Sequence, residues 1–175
     1  PSYEGRRSAL SKPKRGEPPA DMAGLKLRVI ESTPYVEAFK AYGANPQAMS
    51  AREAVVGLQQ GTIDGVENPA SALLGLGFGE VAKNLTVTAH VLNTTLWLTG
   101  TKWFDTLTAE QQQWLKESGQ KAGLVSQDLD KKLEADALAS LEAQGVEVYY
   151  PTEEEMAGFK EAALNFYEYP EIQAL

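Results

Sequence analysis

Leu25-Lys26-Leu27-Arg28-Val29-Ile30 alternates apolar Leu25, Leu27 and Val29 with charged Lys26 and Arg28, the period of a half-buried strand. Beyond it, Ser32 and Thr33 precede Pro34 in the order of a cap and a first helical residue. Tyr35, Phe39 and Tyr42 then recur at helical spacing until Gly43. A strand therefore feeds a helix, and the unit repeats. Ser50 and Glu53 have the spacing of a capping box, Val55, Val56 and Leu58 follow, and Gly61 supplies the stop. Ile63-Asp64-Gly65-Val66-Glu67 reads as a short strand, and Asn68-Pro69 as the cap and first turn of a helix running to about Leu76. Alternation of this kind predicts an α/β layer with a largely parallel sheet.

Residues 84–99, dense in Thr, Val and Leu, predict one long strand or two in succession. Thr108 and Gln111 form a second capping box. The following run reaches about Gln144 with only Gly119 and Gly123 as weak breakers, so it reads as one long or gently kinked helix. Val146 to Tyr150 is a terminal strand, and Thr152 with Glu155 opens a last helix that carries Met156, Phe159, Ala163 and Phe166 along one side. Upstream, the chain to about Ala20 is rich in Ser, Lys, Pro and Gly and lacks an apolar period, and reads as loop. The organisation expected is thus a connecting segment over 1–20, an α/β ligand-binding lobe over 21–91, a crossover strand and long helix over 92–144, and a terminal strand and helix over 145–175. A helix of about 35 residues is three times the usual length, and such helices cross from one domain to another.

Composition narrows the function. The 175 residues are 43% apolar, enough for an ordinary core, and no stretch approaches the roughly 20 apolar residues of a membrane helix. The opening PSYEGRR has neither an initiator Met nor an apolar signal core, so the start reads as cut or processed. Zero cysteines exclude disulfides, thiolate zinc sites and cysteine nucleophiles, and a single histidine, His90, excludes a histidine metal cluster. The net charge of -8 repels phosphate backbones. Residues 1–28 nonetheless carry +4 and the remaining 147 carry -12, so the basic end suits a small anion rather than a nucleic acid.

No GxSxG, GxxxxGK or GxGxxG is present, and His90 lacks a local triad arrangement, which favours a hydrogen-bonded structural role. Asp64 and Glu67 fall on opposite faces of a strand, reading as a turn acid and a separate site or packing residue. Glu153, Glu154 and Glu155 are the acidic first turn of a helix. Arg28, in an otherwise apolar strand, either faces solvent, joins an internal salt bridge or reaches a cavity where its fork meets a carboxylate. Asn68 is either a helix cap or part of an anion site at a strand end.

Gly24-Leu25-Lys26-Leu27-Arg28-Val29, Gly43-Ala44-Asn45-Pro46-Gln47-Ala48-Met49, Leu58-Gln59-Gln60-Gly61-Thr62-Ile63-Asp64-Gly65-Val66-Glu67-Asn68-Pro69 and Thr86-Val87-Thr88-Ala89-His90-Val91 occur in one order and spacing. Together they resemble the extracytoplasmic solute-binding proteins of tripartite ATP-independent periplasmic (TRAP) transporters, a C4-dicarboxylate-binding periplasmic protein family. The likeness continues through Leu107-Thr108-Ala109-Glu110-Gln111-Gln112. It implies a periplasmic binding protein fold, two α/β lobes joined by strands and a long helix, of which this chain would be the C-terminal part with most of the N-terminal lobe absent. It implies a periplasmic receptor that captures a small organic acid and delivers it to membrane permease subunits, with no catalytic residue, metal or cofactor and no membrane span of its own. Arg28 corresponds to the arginine that pairs with the ligand carboxylate, Asn68 to the asparagine that helps hold it, and Arg7 to the arginine of a preceding GxR element. Glu67 joins these as a candidate. Glu31 stands where sugar-acid binders tend to carry Asn, so it either meets ligand hydroxyls or an ammonium or faces solvent; Ala51 replaces a frequent aromatic. Two other readings remain: an incomplete receptor that binds nothing alone, and a hydrolase using Asp64, Glu67 and His90.

Overall fold

In the computed structural model, which describes residues 2–12 and 22–173, the segment around Arg28 forms β2 (Lys26–Val29) and leads into α1 (Thr33–Ala41). After Gly43, which takes a positive φ of 81°, the chain returns as β3 (Asn45–Ala48). The Ser50 capping box opens α2 (Ala51–Gln60): Glu53 N–H donates to Ser50 Oγ, and Ser50 N–H to the Glu53 carboxylate. Gly61, left-handed at φ 76°, ends it, a conformation that costs glycine little.

β4 (Gly65–Pro69), α3 (Ala70–Gly75) and α4 (Phe78–Val81) lead to β5 (Asn84–Thr95), α5 (Thr101–Phe104) and α6 (Ala109–Ala143). β6 (Glu147–Tyr149), α7 (Glu153–Leu164), a short 3-10 turn and α8 (Pro170–Gln173) complete the chain. The second and third capping boxes are present at Thr108/Gln111 and Thr152/Glu155.

Two readings need correction. The chain before Ala20 is not all loop, because Ser2–Ser11 form a strand, β1, inside the sheet. Its Arg-Arg and Ser-rich sequence hides this, since a strand covered on both faces by other elements needs no simple alternation. Residues 13–21 lie outside the described residues. Asn68 is not a helix cap either. It lies within β4, and Pro69 holds the N-cap position of α3.

The sheet order is β3-β2-β4-β1-β5-β6. β2 runs parallel to β3 and β4, β5 runs parallel to β6, and β1 is antiparallel to both β4 and β5. The sheet is therefore largely parallel with one reversed strand in its middle. Such a sheet is covered on both faces. One core gathers Leu10, Val66 and Leu85 under Leu58, Leu73, Phe78 and Leu141; the other gathers Ala9, Leu27 and Val29 under Phe39, Tyr42 and Phe159.

α6 is different. Only Ala137 and Leu141 of it are buried. Upstream, Trp114, Leu124 and Leu129 are each more than half exposed, as are Trp97, Leu98 and Trp103 before the helix. Between these segments lies an open cavity of about 850 Å³, lined by Trp97, Trp103, Phe104, Leu115 and Leu124 among others.

Candidate ligand site

The Asp64-Gly65 pair sets the strands that carry the site. Asp64 Oδ2 accepts the Lys26 N–H at 2.9 Å, and its carbonyl accepts the Lys12 N–H at 2.8 Å, tying the entry of β4 to β2 and β1. A Cβ on Gly65 would sit 2.5 Å from the Leu10 carbonyl oxygen and 2.9 Å from Leu27 Cδ1. Glycine is thus required for β4 to slot between its neighbours. Asp64 is the turn acid expected, remote in role from Glu67.

Register then assigns faces. Ala9 pairs with Glu67 and Arg7 with Pro69, so Arg7 and Glu67 share the face of Ala9. Arg28 pairs with Val66, so Arg28 and Asn68 share the opposite face, one pleat apart on adjacent parallel strands. All four lie toward the carboxyl end of β2 and β4, where open parallel sheets take their ligands.

On the first face, Arg7 closes a fork on Glu67: Nε donates to Oε2 at 2.5 Å, and Nη2 to Oε1 at 2.7 Å and to the Glu67 carbonyl at 3.0 Å. Arg7 is 4% exposed and Glu67 fully buried, and the guanidinium stacks over Tyr35 with 5.2 Å to the ring centroid. His90 completes the group. Its Nε2 lies 3.3 Å from Glu67 Oε2, its Nδ1 2.7 Å from Thr88 Oγ1, and its ring meets the Phe39 ring edge to face at 5.0 Å. Burial is the largest single influence on Glu67 and pushes its pKa up. The hydrogen bonds from His90 and Arg7, with their charges, outweigh it and hold the carboxyl below its ordinary value.

His90 reaches this group through a bulge. Between the pairs Arg7↔Val91 and Ala9↔Thr86, β5 has four residues opposite Ser8 alone, and Ala89 in that excess has φ 48°. The histidine is hydrogen-bonded, as expected, but its partner Glu67 was not foreseen. No spacing in sequence connects residues on β4 and β5.

On the second face, Arg28 is 4% exposed, and its Nε donates to the Met49 carbonyl at 2.8 Å. Among the described residues its Nη1 and Nη2 meet no hydrogen-bond acceptor, so the outer edge of the guanidinium is unspent. Desolvation lowers its pKa most; Glu67 opposes that, Arg7 adds to it, and Glu31 opposes it. Asn68 is 8% exposed, and its side-chain amide has no hydrogen-bond partner among the described residues. Glu31, just past the end of β2, is exposed, yet its charge acts on Arg28. The solvent-facing expectation for Glu31 therefore describes its position, with the guanidinium still within electrostatic reach.

The structure thus brings Arg7, Glu67 and His90 into direct contact and sets Arg28 and Asn68 side by side on the other face with free polar edges. Sequence reasoning missed the Met49 carbonyl, the Tyr35 ring and the Ala89 bulge. The motif Pro46-Gln47-Ala48-Met49 carried a signal for the first, since β3 lies alongside β2 through that segment.

At the strand ends, then, a buried arginine with an open edge lies on the same face as Asn68. Residues 2–173 match the family described as bacterial extracellular solute-binding protein, family 7. The chain belongs to that family.

It is 37% identical over 130 residues to the 2,3-diketo-L-gulonate-binding periplasmic protein of Escherichia coli, covering 74% of this chain and 40% of that protein. It is 45% identical over 92 residues to the C4-dicarboxylate-binding periplasmic protein of Vibrio cholerae, covering 53% of this chain and 28% of that one. The crystal structure of a TRAP periplasmic solute-binding protein from Roseobacter denitrificans with bound β-D-glucuronate superposes with a TM-score of 0.90 at 29% identity, covering 99% of this chain and 56% of that chain. The fold is that of TRAP periplasmic binding proteins, as the resemblance implied. The chain spans less than half the length of the curated relatives it matches.

Proposed function

We propose that this chain is the lobe of a periplasmic TRAP receptor that anchors an organic acid, with Arg28 as the carboxylate anchor and Asn68 as its hydrogen-bonding neighbour. The observation that carries this reading is the unspent edge of a guanidinium that is 4% exposed, at the carboxyl end of a parallel strand. A group so placed is disfavoured without a counter-charge, and a carboxylate supplies one through two parallel hydrogen bonds. The three relatives above carry names or ligands that are organic acids, which supports the class. No bond is made or broken; the receptor closes by hinge bending and delivers its acid to membrane permease subunits.

Arg7, Glu67 and His90 act in this reading as a buried brace that positions β4 beneath the site. Glu31 stands at the rim. Residues 21–91 supply the ligand-binding surface, 92–144 the crossover to a second lobe, and 145–175 the returning strand and helix. The second lobe would cover the apolar flank of α6 and close the cleft. Calorimetric titration of the full-length receptor with D-glucuronate and its relatives tests the reading. Binding of an acid is expected, weakened by about 2 to 5 kcal/mol in Arg28→Ala. Undiminished affinity in that variant would remove Arg28 as the anchor.

A further inference from the structure

We infer that Glu53, an exposed residue of α2, is a positioning residue for Arg28 and holds its guanidinium in place through the peptide unit that joins Met49 to Ser50. The inference rests on the proposed function for what Arg28 does. The link itself lies wholly within β2, β3 and the start of α2 and involves nothing that closes over the cleft.

One planar group carries both contacts. The Met49 carbonyl accepts Arg28 Nε–H at 2.8 Å, and the Ser50 N–H donates to Glu53 Oε2 at 2.9 Å. That carbonyl and that N–H belong to the same trans peptide, so they point in opposite directions and turn together. A rotation that released the N–H from Glu53 would swing the carbonyl away from Arg28. The chain before this peptide is already pinned, since the Met49 N–H donates to the Val29 carbonyl at 3.3 Å and Val29 pairs with Ala48 in the sheet. The peptide after Met49 takes its fixed point from Glu53. Hydrogen bonds in line polarise one another, and here the line runs from a cation to a carboxylate. Hydrogen bonds with Ser50 hold the Glu53 carboxyl below its ordinary value, so it is ionised and accepting at neutral pH.

The capping box at Thr108 shows what capping alone requires. There Gln111 Oε1 accepts the Thr108 N–H at 2.9 Å, and the preceding carbonyl, of Leu107, is met by Gln112 of the same helix. At Ser50 the preceding carbonyl instead meets an arginine of another element that is 4% exposed. Gln111 also shows that an amide oxygen takes the acceptor's place at the same distance. Glu53→Gln therefore keeps the tether, and Glu53→Ala removes it.

The test reads hydrogen exchange at Arg28 Nε–H by NMR in the full-length receptor carrying isotope-labelled arginine. Arg28→Lys assigns the signal, and Arg7 Nε–H, bonded to Glu67, is the internal reference. Glu53→Ala is expected to speed exchange at Arg28 by about tenfold or more with Arg7 within about twofold, and Glu53→Gln to bring Arg28 back to within about threefold of the unsubstituted protein. Ser50→Ala, which breaks the Oγ half of the box and leaves the backbone N–H to Glu53, is expected to change neither. D-Glucuronate affinity should fall several-fold in Glu53→Ala and recover in Glu53→Gln. An Arg28 rate that Glu53→Ala leaves unchanged overturns the inference, as does a rise that Glu53→Gln fails to reverse. An equal rise at Arg7, or in Ser50→Ala, also overturns it by tracing the effect to helix or fold stability. So does undiminished affinity in Glu53→Ala when Arg28→Ala weakens binding. D-Glucuronate affinity indifferent to Arg28→Ala, or no binding at all, would count against the proposed function, and the exchange rates would still decide whether Glu53 holds Arg28.

Discussion

The strand ends around Arg7, Arg28 and Glu67 and the exposed flank of α6 reverse the usual distribution of residue types. In the first region charged groups are buried and in the second Trp, Leu and Val stand in solvent, with Leu98 86% and Val125 67% exposed. Each is costly for a chain in isolation, by desolvation in one case and by unburied apolar surface in the other. Among the described residues the buried charges are resolved internally wherever a partner exists, as between Arg7 and Glu67, and left open at Arg28. The apolar flank is resolved nowhere in the described residues. The difference teaches that size is a poor guide to function here. The 850 Å³ cavity is apolar and belongs to α6 and its neighbours, while the polar groups that could recognise an acid lie at the sheet.

The strongest way to break the contrast is to empty its buried half. Glu67→Ala strands Arg7 and His90 without their carboxylate and should destabilise the fold by about 3 to 5 kcal/mol, read from denaturant unfolding. The same group gives a pH signature. Because its pKa is depressed on folding, Glu67 stabilises the protein above the ordinary carboxylate value of about 4.3, and that stability is lost as pH falls through the folded value. The acid-side drop in melting temperature should be shallower in Glu67→Gln; an equal drop would assign it to other carboxylates.

Arg28→Ala sharpens the contrast from the other direction. Affinity should fall by about 2 to 5 kcal/mol, roughly 30- to 5,000-fold, while unfolding free energy changes by about 1 kcal/mol or less, because the lost bond to Met49 is offset by removal of a buried charge with no ion-pair partner. A large stability loss would make Arg28 a structural residue. Gly65→Ala, which drives a methyl into the Leu10 carbonyl, should cost about 1 to 3 kcal/mol by the same unfolding measurement. Leu124→Gln on the exposed flank should shift unfolding of this chain by about 0.5 kcal/mol or less. A cost several times greater in the full-length receptor would show that the flank is covered there.

Legibility followed the range of the interactions. The capping boxes at Ser50, Thr108 and Thr152 depend on residues three apart, so they were readable and are present. The strand around Arg28 was readable from its own two-residue period, and the long helix from its capping box and the lack of strong breakers after it. β1 was not, because its place between β4 and β5 is set by strands far away in sequence. Asn68 was misplaced as a cap for a related reason: the Asn-Pro pair is a good helix start locally, but pairing with Ser8 of β1 extends the strand through it.

Local chemistry in the chain was sufficient to determine the α/β class, the starts of the helices that open on capping boxes, the exclusion of thiol and histidine-cluster chemistry, and the candidacy of Arg28 and Asn68 through their motifs. Only the tertiary structure decided which arginine remains available. Arg7 and Arg28 have the same side chain and similar burial. Glu67, more than 35 residues from either, closes the fork of one and leaves the other open, because sheet register puts it on the face of Arg7. A hydrogen bond depends on distance and direction in space, and no pattern along the chain encodes either across that separation.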